Sequence, residues 1–319
     1  LLAFDIPSNL KSFHTKILDI GGVIPEMGIN NWSWRATLAA FLAVLIWSVL
    51  PGICKYTVAS VSITWMLLAR FGIGSIVMLP WLLPVIKKAK EISPTRWFLL
   101  AINLGANYYF QNRAIQGIPA SFYIVIFSLA PIFSLIFLRK PLAKGQLFPF
   151  VTVVAGSIGF ARYGDLKTNI DFTSTAALLI GMATWVWYTV QITHFQKIYD
   201  DKEVTIVTTF VSLIVVLLLW GIGGFPMEPL TRGLVYSFLF LGLGTPLAYY
   251  FFLYGLRRVP VMAVVSQYAE PVFGIAFALA FLGEKLSLRQ LSASAIIVFG
   301  MIWFSARAST GCEVESMIE

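Results

Sequence analysis

Two cysteines and two histidines in 319 residues leave little material for metal or redox chemistry. Cys54 and Cys312 lie near opposite ends of the chain, so neither a disulfide framework nor a thiolate metal site can be assembled. Charge is scarce as well. Asp, Glu, Lys and Arg make up 12% of the residues, where a soluble domain carries about 25%. The chain also lacks an ATP-binding loop, a His/Glu metal motif, paired aspartates in a plausible active site and a serine-centred nucleophile pattern. These absences argue against an enzyme and against a bound cofactor or metal.

What is abundant is apolar surface: 58% of the chain is hydrophobic, with 26 Phe, 12 Tyr and 10 Trp. The apolar runs come in blocks of about 20 residues, the length that crosses a hydrocarbon core. Ten such blocks lie at 36–56, 63–84, 95–115, 119–139, 145–163, 173–195, 204–224, 233–254, 260–282 and 287–306, separated by charges or turn residues. The pattern predicts an all-α polytopic membrane protein with ten transmembrane helices. A net charge of +8 would suggest nucleic acid in a soluble protein. Here it follows from Lys and Arg gathered in the connections at 87–96, 139–144, 197–202 and 257–258. Positive connections face the cytoplasm, which places both termini there and implies membrane lipid, not nucleic acid, as the surrounding partner. The expected location is the plasma membrane, as a bacterial inner-membrane protein. Residues 1–33 lack the basic, apolar, small-residue order of a signal peptide and read as a cytoplasmic arm. Residues 308–319 read as a polar cytoplasmic tail.

Two halves of the chain repeat each other. Trp47 matches Trp185 at an offset of 138, YYF at 108–110 matches YYF at 249–251 at 141, and Pro131 matches Pro271 at 140. FLRKPLAKGQ at 137–146 matches FLGEKLSLRQ at 281–290, and Gly156 matches Gly300, both at 144. Each unit, 34–163 and 172–307, holds five predicted helices. Five is odd, so the second unit enters the membrane from the opposite side, giving two inverted five-helix repeats. That architecture is common among secondary transporters, because exchanging the halves' conformations turns an inward-open molecule outward.

The tryptophan in the first helix of each half, ARF at 69–71, GANYYFQNRAI at 105–115 with its preceding residues, and AEPVFGIAFALAFLGEKLSLRQ at 269–290 carry a family resemblance. From about Trp34 to Arg307 the chain resembles the EamA family of the drug/metabolite transporter superfamily. The first repeat departs from the pattern: Lys140 replaces the glutamate found at Glu284, and its fourth helix is shorter. The resemblance implies alternating-access transport of a small-molecule metabolite, with export as the direction. An amino acid or related amine is the expected cargo. A sugar-phosphate or nucleotide-sugar exchanger is the nearest alternative and needs a Lys/Arg cluster in its cavity. A membrane-embedded enzyme and a passive channel are the alternatives from other classes.

Several residues could touch cargo. Asn103, Asn107 and Gln111 recur every four residues on one side of the third helix, with Tyr108 beside them. Lipid cannot satisfy amides, so this stripe faces the bundle. On the ninth helix Gln267, Glu270, Gly274 and Phe277 share a face, and Pro271 disturbs the backbone beside Glu270. Glu270 is absent from the first repeat, where Ala130 takes its place, so it reads as a cavity group that binds a cationic amine, exchanges a proton, or pairs with Arg70. Proton or other ion coupling would act through such a group. Arg70 is expected to point inward, and Arg113 to gate the outer mouth. Trp47, Tyr108, Trp185, Tyr250 and Tyr268 complete the candidate lining. Oligomeric state has no sequence signature here.

Overall fold

The computed structural model describes residues 33–130, Phe133, residues 147–163, residues 171–259, Ala263 and residues 266–315. Regular structure among them is entirely helical: α1 (Trp34–Val58), α2 (Ile63–Met78), α3 (Leu82–Lys88), α4 (Pro94–Gly117), α5 (Ala120–Phe127) and α6 (Leu147–Tyr163) precede residue 164. Five more follow: α7 (Phe172–Phe195), α8 (Asp201–Ile222), α9 (Arg232–Arg258), α10 (Glu270–Phe281) and α11 (Leu288–Glu315). A single 3₁₀ turn joins α2 to α3, and another, Gln267–Ala269, leads into α10. The arm at 1–32 and the shortened fourth helix at 131–140, Phe133 excepted, lie outside the described residues.

Helix starts follow local chemistry. Ser62 accepts from Trp65 N, Thr231 accepts from Leu234 N, and Asp200 forms a reciprocal capping box with Glu203. Each satisfies amides that the first helical turn leaves without partners. Asp171 caps α7, and hydrogen bonds from the Ser174 hydroxyl and the Thr173 amide hold its carboxyl below the ordinary aspartate range. Inside the helices, hydroxyls fold back onto the preceding turn. Ser48 Oγ donates to Val44 O at 2.7 Å and Thr209 Oγ1 to Thr205 O at 2.8 Å, so neither group needs water.

Apolar side chains lie on the outside as well as in the core. Ile76 and Leu218 are 73% and 64% exposed, the inverse of an aqueous surface and the condition for lipid contact. Five described helical segments are long and apolar enough to cross a membrane: Trp34–Val58, Ile63–Glu91, Phe172–Ile192, Asp201–Ile222 and Arg232–Arg258. The chain is therefore an all-α polytopic membrane protein. Helix α4, at 24 residues, has the length but not the hydropathy, because its amide stripe dilutes the apolar run. Leu147–Phe160, Glu270–Phe281 and Leu288–Phe304 are shorter apolar helices.

Packing joins helices far apart in sequence. The most extensive pairings are α4 with α7, α1 with α9, α6 with α11, and α2 with α8, followed by α2 with α9 and α1 with α10. Small residues let backbones approach closely. A Cβ on Gly255 would lie 2.8 Å from Ala40 Cβ and 3.1 Å from Ala36 O, whereas one on Gly72 would meet nothing within 4 Å.

Polar ties bind both ends of the bundle. At one end, Asp201 Oδ1 accepts from Arg257 Nε at 2.6 Å and Oδ2 from Arg258 Nη1 at 2.7 Å, while Lys88 pairs with Glu203 at 2.7 Å. At the other, Glu284 accepts from the amides of Ala120 (2.7 Å) and Ser121 (3.1 Å) at the α5 N-terminus. Lys55 there donates to the carbonyls of Ile115 and Ile118 as α4 ends. These helix-end charges oppose the local dipoles.

Gly255→Val is expected to lower stability by about 1–3 kcal/mol through overpacking between α1 and α9. Gly72→Ala should leave the thermal midpoint and monodisperse yield in detergent unchanged. Equal behaviour of the two variants in a thermal melt would contradict the close α1–α9 approach.

Candidate functional site

A partly enclosed cavity of about 70 Å³ lies where α1, α2, α4, α5, α7, α9 and α10 converge. Its walls come from Trp47, Leu50, Pro51 and Cys54 of α1, Arg70 of α2, and Tyr108, Gln111, Asn112 and Ile115 of α4. Tyr123 and Phe127 of α5, with Ser128 and Ala130 beyond it, continue the lining, which Trp185, Tyr249, Gln267 and Glu270 complete.

The aromatic wall is a set of ring contacts between the two halves. Trp47 meets Trp185 edge to face at 5.6 Å, and Tyr249 contacts Trp47 at 5.9 Å and Trp185 at 6.1 Å. Tyr108 Oη donates to Tyr249 Oη at 2.6 Å, both side chains being buried. Such edge-to-face pairs fix ring orientation beyond simple burial.

Arg70 is only 7% exposed. Its Nε donates to Thr245 Oγ1 at 2.6 Å, Nη1 points to Cys54 Sγ at 3.9 Å, and the guanidinium lies over the Tyr108 ring at 5.3 Å. No carboxylate pairs with it among the described residues. Glu270 is the first residue of α10, with Pro271 next in the opening turn. Proline at that position breaks no helical bond and starts the helix cleanly. The irregular backbone is thus the turn before Glu270, whose carboxylate has the positive end of a helix dipole beside it.

Seven of the residues singled out from sequence meet in this cavity: Trp47, Arg70, Tyr108, Gln111, Trp185, Gln267 and Glu270. Others do not. Asn103 is fully buried against Gln191 of α7 at 2.7 Å, and Asn107 Nδ2 donates to Gly181 O and Thr184 Oγ1, both at 3.3 Å. Most of the amide stripe therefore bonds α4 to α7, with Gln111 alone reaching the cavity while it donates to Asn107 Oδ1 at 2.8 Å. Arg113 donates to Gln116 one turn away and lies off the cavity wall. Tyr250 packs on Phe251 and Tyr254, and its neighbour Tyr249 takes the inward place. The side chain of Tyr268 lies outside the described residues. Glu270 and Arg70 form no ion pair with each other among the described contacts. Sequence reasoning also passed over Cys54 and Tyr123, single residues in apolar runs with no pattern around them. The match of YYF at 108–110 with YYF at 249–251 was the available signal for Tyr249.

A model of the EamA-like transporter family matches twice, over residues 34–162 and 173–306. The chain belongs to that family. It is accordingly a membrane transporter of small molecules in the drug/metabolite transporter superfamily, and not an enzyme. No curated protein matches it. A solved chain described as "Crystal structure of protein" shares the fold with a TM-score of 0.63 and 21% identity, over 86% of this chain and 98% of that one.

For an EamA-like transporter, the Tyr108–Tyr249 bond is a direct tie between the two family-matched segments. Tyr108→Phe and Tyr249→Phe should each lower stability by about 1–2 kcal/mol by orphaning a buried hydroxyl. In a double-mutant cycle read by thermal melts, the pair should fall short of additivity by about 1 kcal/mol. Strict additivity would mean the two hydroxyls do not meet.

Proposed function

We propose that this EamA-like protein is a ten-span secondary carrier made of two inverted five-helix repeats, 34–163 and 172–307. It moves an amino acid or related amine through the central cavity by alternating access, with export as the working direction.

The observation that carries the reading is reciprocity of contact between the halves. A Cβ on Gly156 would lie 2.8 Å from Ile297 Cγ1, and one on Gly300 would lie 2.7 Å from Val153 Cγ2. Glycines 144 positions apart thus contact residues that are themselves 144 apart, the mark of a two-fold relation. The two pairings of the first helices follow the same exchange. If α1 corresponds to α7, α2 to α8 and α4 to α9, the α1–α9 pairing becomes α7–α4, and α2–α8 maps onto itself. Trp47 with Trp185, and Tyr108 with Tyr249, are repeat-related residues that touch. A cavity on such an axis is built from both halves, so rocking one against the other changes access to it.

The lining supports an amine or amino acid over a phosphate ester. Arg70 is the one Lys or Arg among the described lining residues, short of the cation cluster that a phosphate calls for. Positive charge in the connections supports cytoplasmic termini, with the Asp201–Arg257–Arg258 tie at the inner end and the Glu284 tie at the outer end.

Purified protein in liposomes is expected to exchange unlabelled internal solute for the same labelled solute outside, saturably, within a panel of amino acids, polyamines, choline-like amines and sugar phosphates. Linear flux without counterflow across the panel would favour a pore. In intact cells, an impermeant thiol reagent should label Met227→Cys from outside and Lys197→Cys only after permeabilisation. The opposite pattern would invert the topology.

A further inference from the structure

Arg70 and Glu270 face one cavity and do not pair with each other among the described contacts. The Arg70 guanidinium, permanently protonated, is held by a threonine hydroxyl, a thiol and an aromatic face, none of them anionic. The Glu270 carboxylate has no hydrogen-bond or ion-pair partner among the described contacts. A third group shares this condition. Asn112 is 2% exposed and lines the cavity, its Nδ2 donates to Tyr108 O at 2.7 Å, and its Oδ1 has no partner. Arg70 and Asn112 are buried, where charges and acceptors are normally paired because leaving them unpaired forfeits their hydration, and Glu270 is half-buried on the same wall.

We propose that this cavity selects zwitterions, Arg70 taking the carboxylate of the substrate and Glu270, with Asn112 Oδ1, taking its ammonium group. The assignment rests on the transport reading of the same cavity and narrows it from amines in general. A zwitterion satisfies both walls and brings no net charge into a low-dielectric space. A plain amine would pair with Glu270 but leave the Arg70 cation without an anion. A plain carboxylate or phosphate would pair with Arg70 but leave Glu270 and Asn112 Oδ1 without a donor, so the site disfavours both.

The repeat supplies an independent argument. Glu270 corresponds to Ala130 at the offset of 140 that relates Pro271 to Pro131, and Ala130 lines the same cavity. A carboxylate needed to start this helix would be needed in both halves. It is present in one, on a cavity that an arginine from the other half also lines, so a substrate held by both side chains bridges the two repeats.

The test uses matched triplets: alanine, leucine and phenylalanine, each with the amine lacking its carboxylate and the acid lacking its ammonium. Calorimetry on the detergent-solubilised full chain should show at least one zwitterion binding about 30-fold or more tightly than its amine and its acid, as expected for losing one partner of a buried charge pair. Glu270→Gln should weaken the zwitterion while narrowing its advantage over the acid, and Arg70→Gln should narrow the advantage over the amine. A structural role for either residue would instead weaken all three probes alike. Where a variant does not fold, the wild-type triplets still decide. Amine or acid binding equal to the zwitterion overturns the assignment, as does no zwitterion binding below about 10 mM. Saturable counterflow with such indifferent binding leaves the carrier reading standing. Zwitterion-selective binding without counterflow does the reverse.

Discussion

The hydroxyl bond between Tyr108 and Tyr249 stands at the point where the two halves of the chain must agree. Two phenols buried in an apolar bundle have no water to turn to, so each must supply the other's partner. That requirement fixes the rotation of α4 against α9. It thereby sets which faces carry Gln111 and Asn112 inward and which face of Trp47 meets Trp185 and Tyr249. Arg70 then lies over the Tyr108 ring, pinned from the opposite side by Thr245 of α9. The one buried cation of the cavity wall is thus held by elements of both halves.

The same rule governs the bundle's ends, where it produces a conformational constraint. Asp201 gathers Arg257 and Arg258 from the C-terminus of α9, and Arg257 Nη2 donates further to Tyr199 O at 2.8 Å. Glu284 gathers the first amides of α5 from 163 and 164 residues away. Each tie joins the first family-matched segment to the second or closes one end of the second upon itself. Partly exposed pairs of this kind contribute modestly to stability, so exchanging them for water at one end is within reach of substrate binding. The proposed alternating access needs ends that open singly, and ties of moderate strength meet that need better than a packed apolar seal.

Much of this arrangement was legible in the sequence, and the failures have a common form. The apolar blocks beginning at 63, 173, 204 and 233 fall within three residues of the observed helix starts at Ile63, Phe172, Asp201 and Arg232, and the α-helical membrane class follows from composition. Trp47 and Trp185 could be picked because they repeat. Tyr249 was passed over for Tyr250, although the two differ by one residue, about 100° around a helix. Composition cannot supply that phase; only the packing of α9 against α1 and α2 does. The amide stripe of α4 was visible, yet its destination was not. Asn103 and Asn107 had to be satisfied inside the bundle, and the groups that satisfy them belong to α7, namely Gln191, Gly181 O and Thr184. A polar face in a membrane helix predicts a polar partner, which is as often a neighbouring helix as a ligand. Cys54 and Tyr123 left no signal, since isolated residues in apolar runs have no period to read.

Duplication explains the scaffold, and departures from it are where chemistry can reside. Residues that pack the halves together recur in both: the tryptophans, the first tyrosine of each pair, and the glycines at 156 and 300. A structural duty imposed by a two-fold relation falls on both copies, because each copy meets the other in the same way. Glu270 escapes that rule, with Ala130 in its counterpart position on the same cavity wall. The amides of α4 escape it too: the positions that match them in α9 hold small or apolar residues, Ala248 standing where Asn107 stands in the first half. An asymmetric ligand, with a cation at one end and an anion at the other, has no use for a symmetric site. On the proposed alternating-access reading, the scaffold needs symmetry to invert its access, while a zwitterionic cargo needs its absence at the few positions that would hold its two ends.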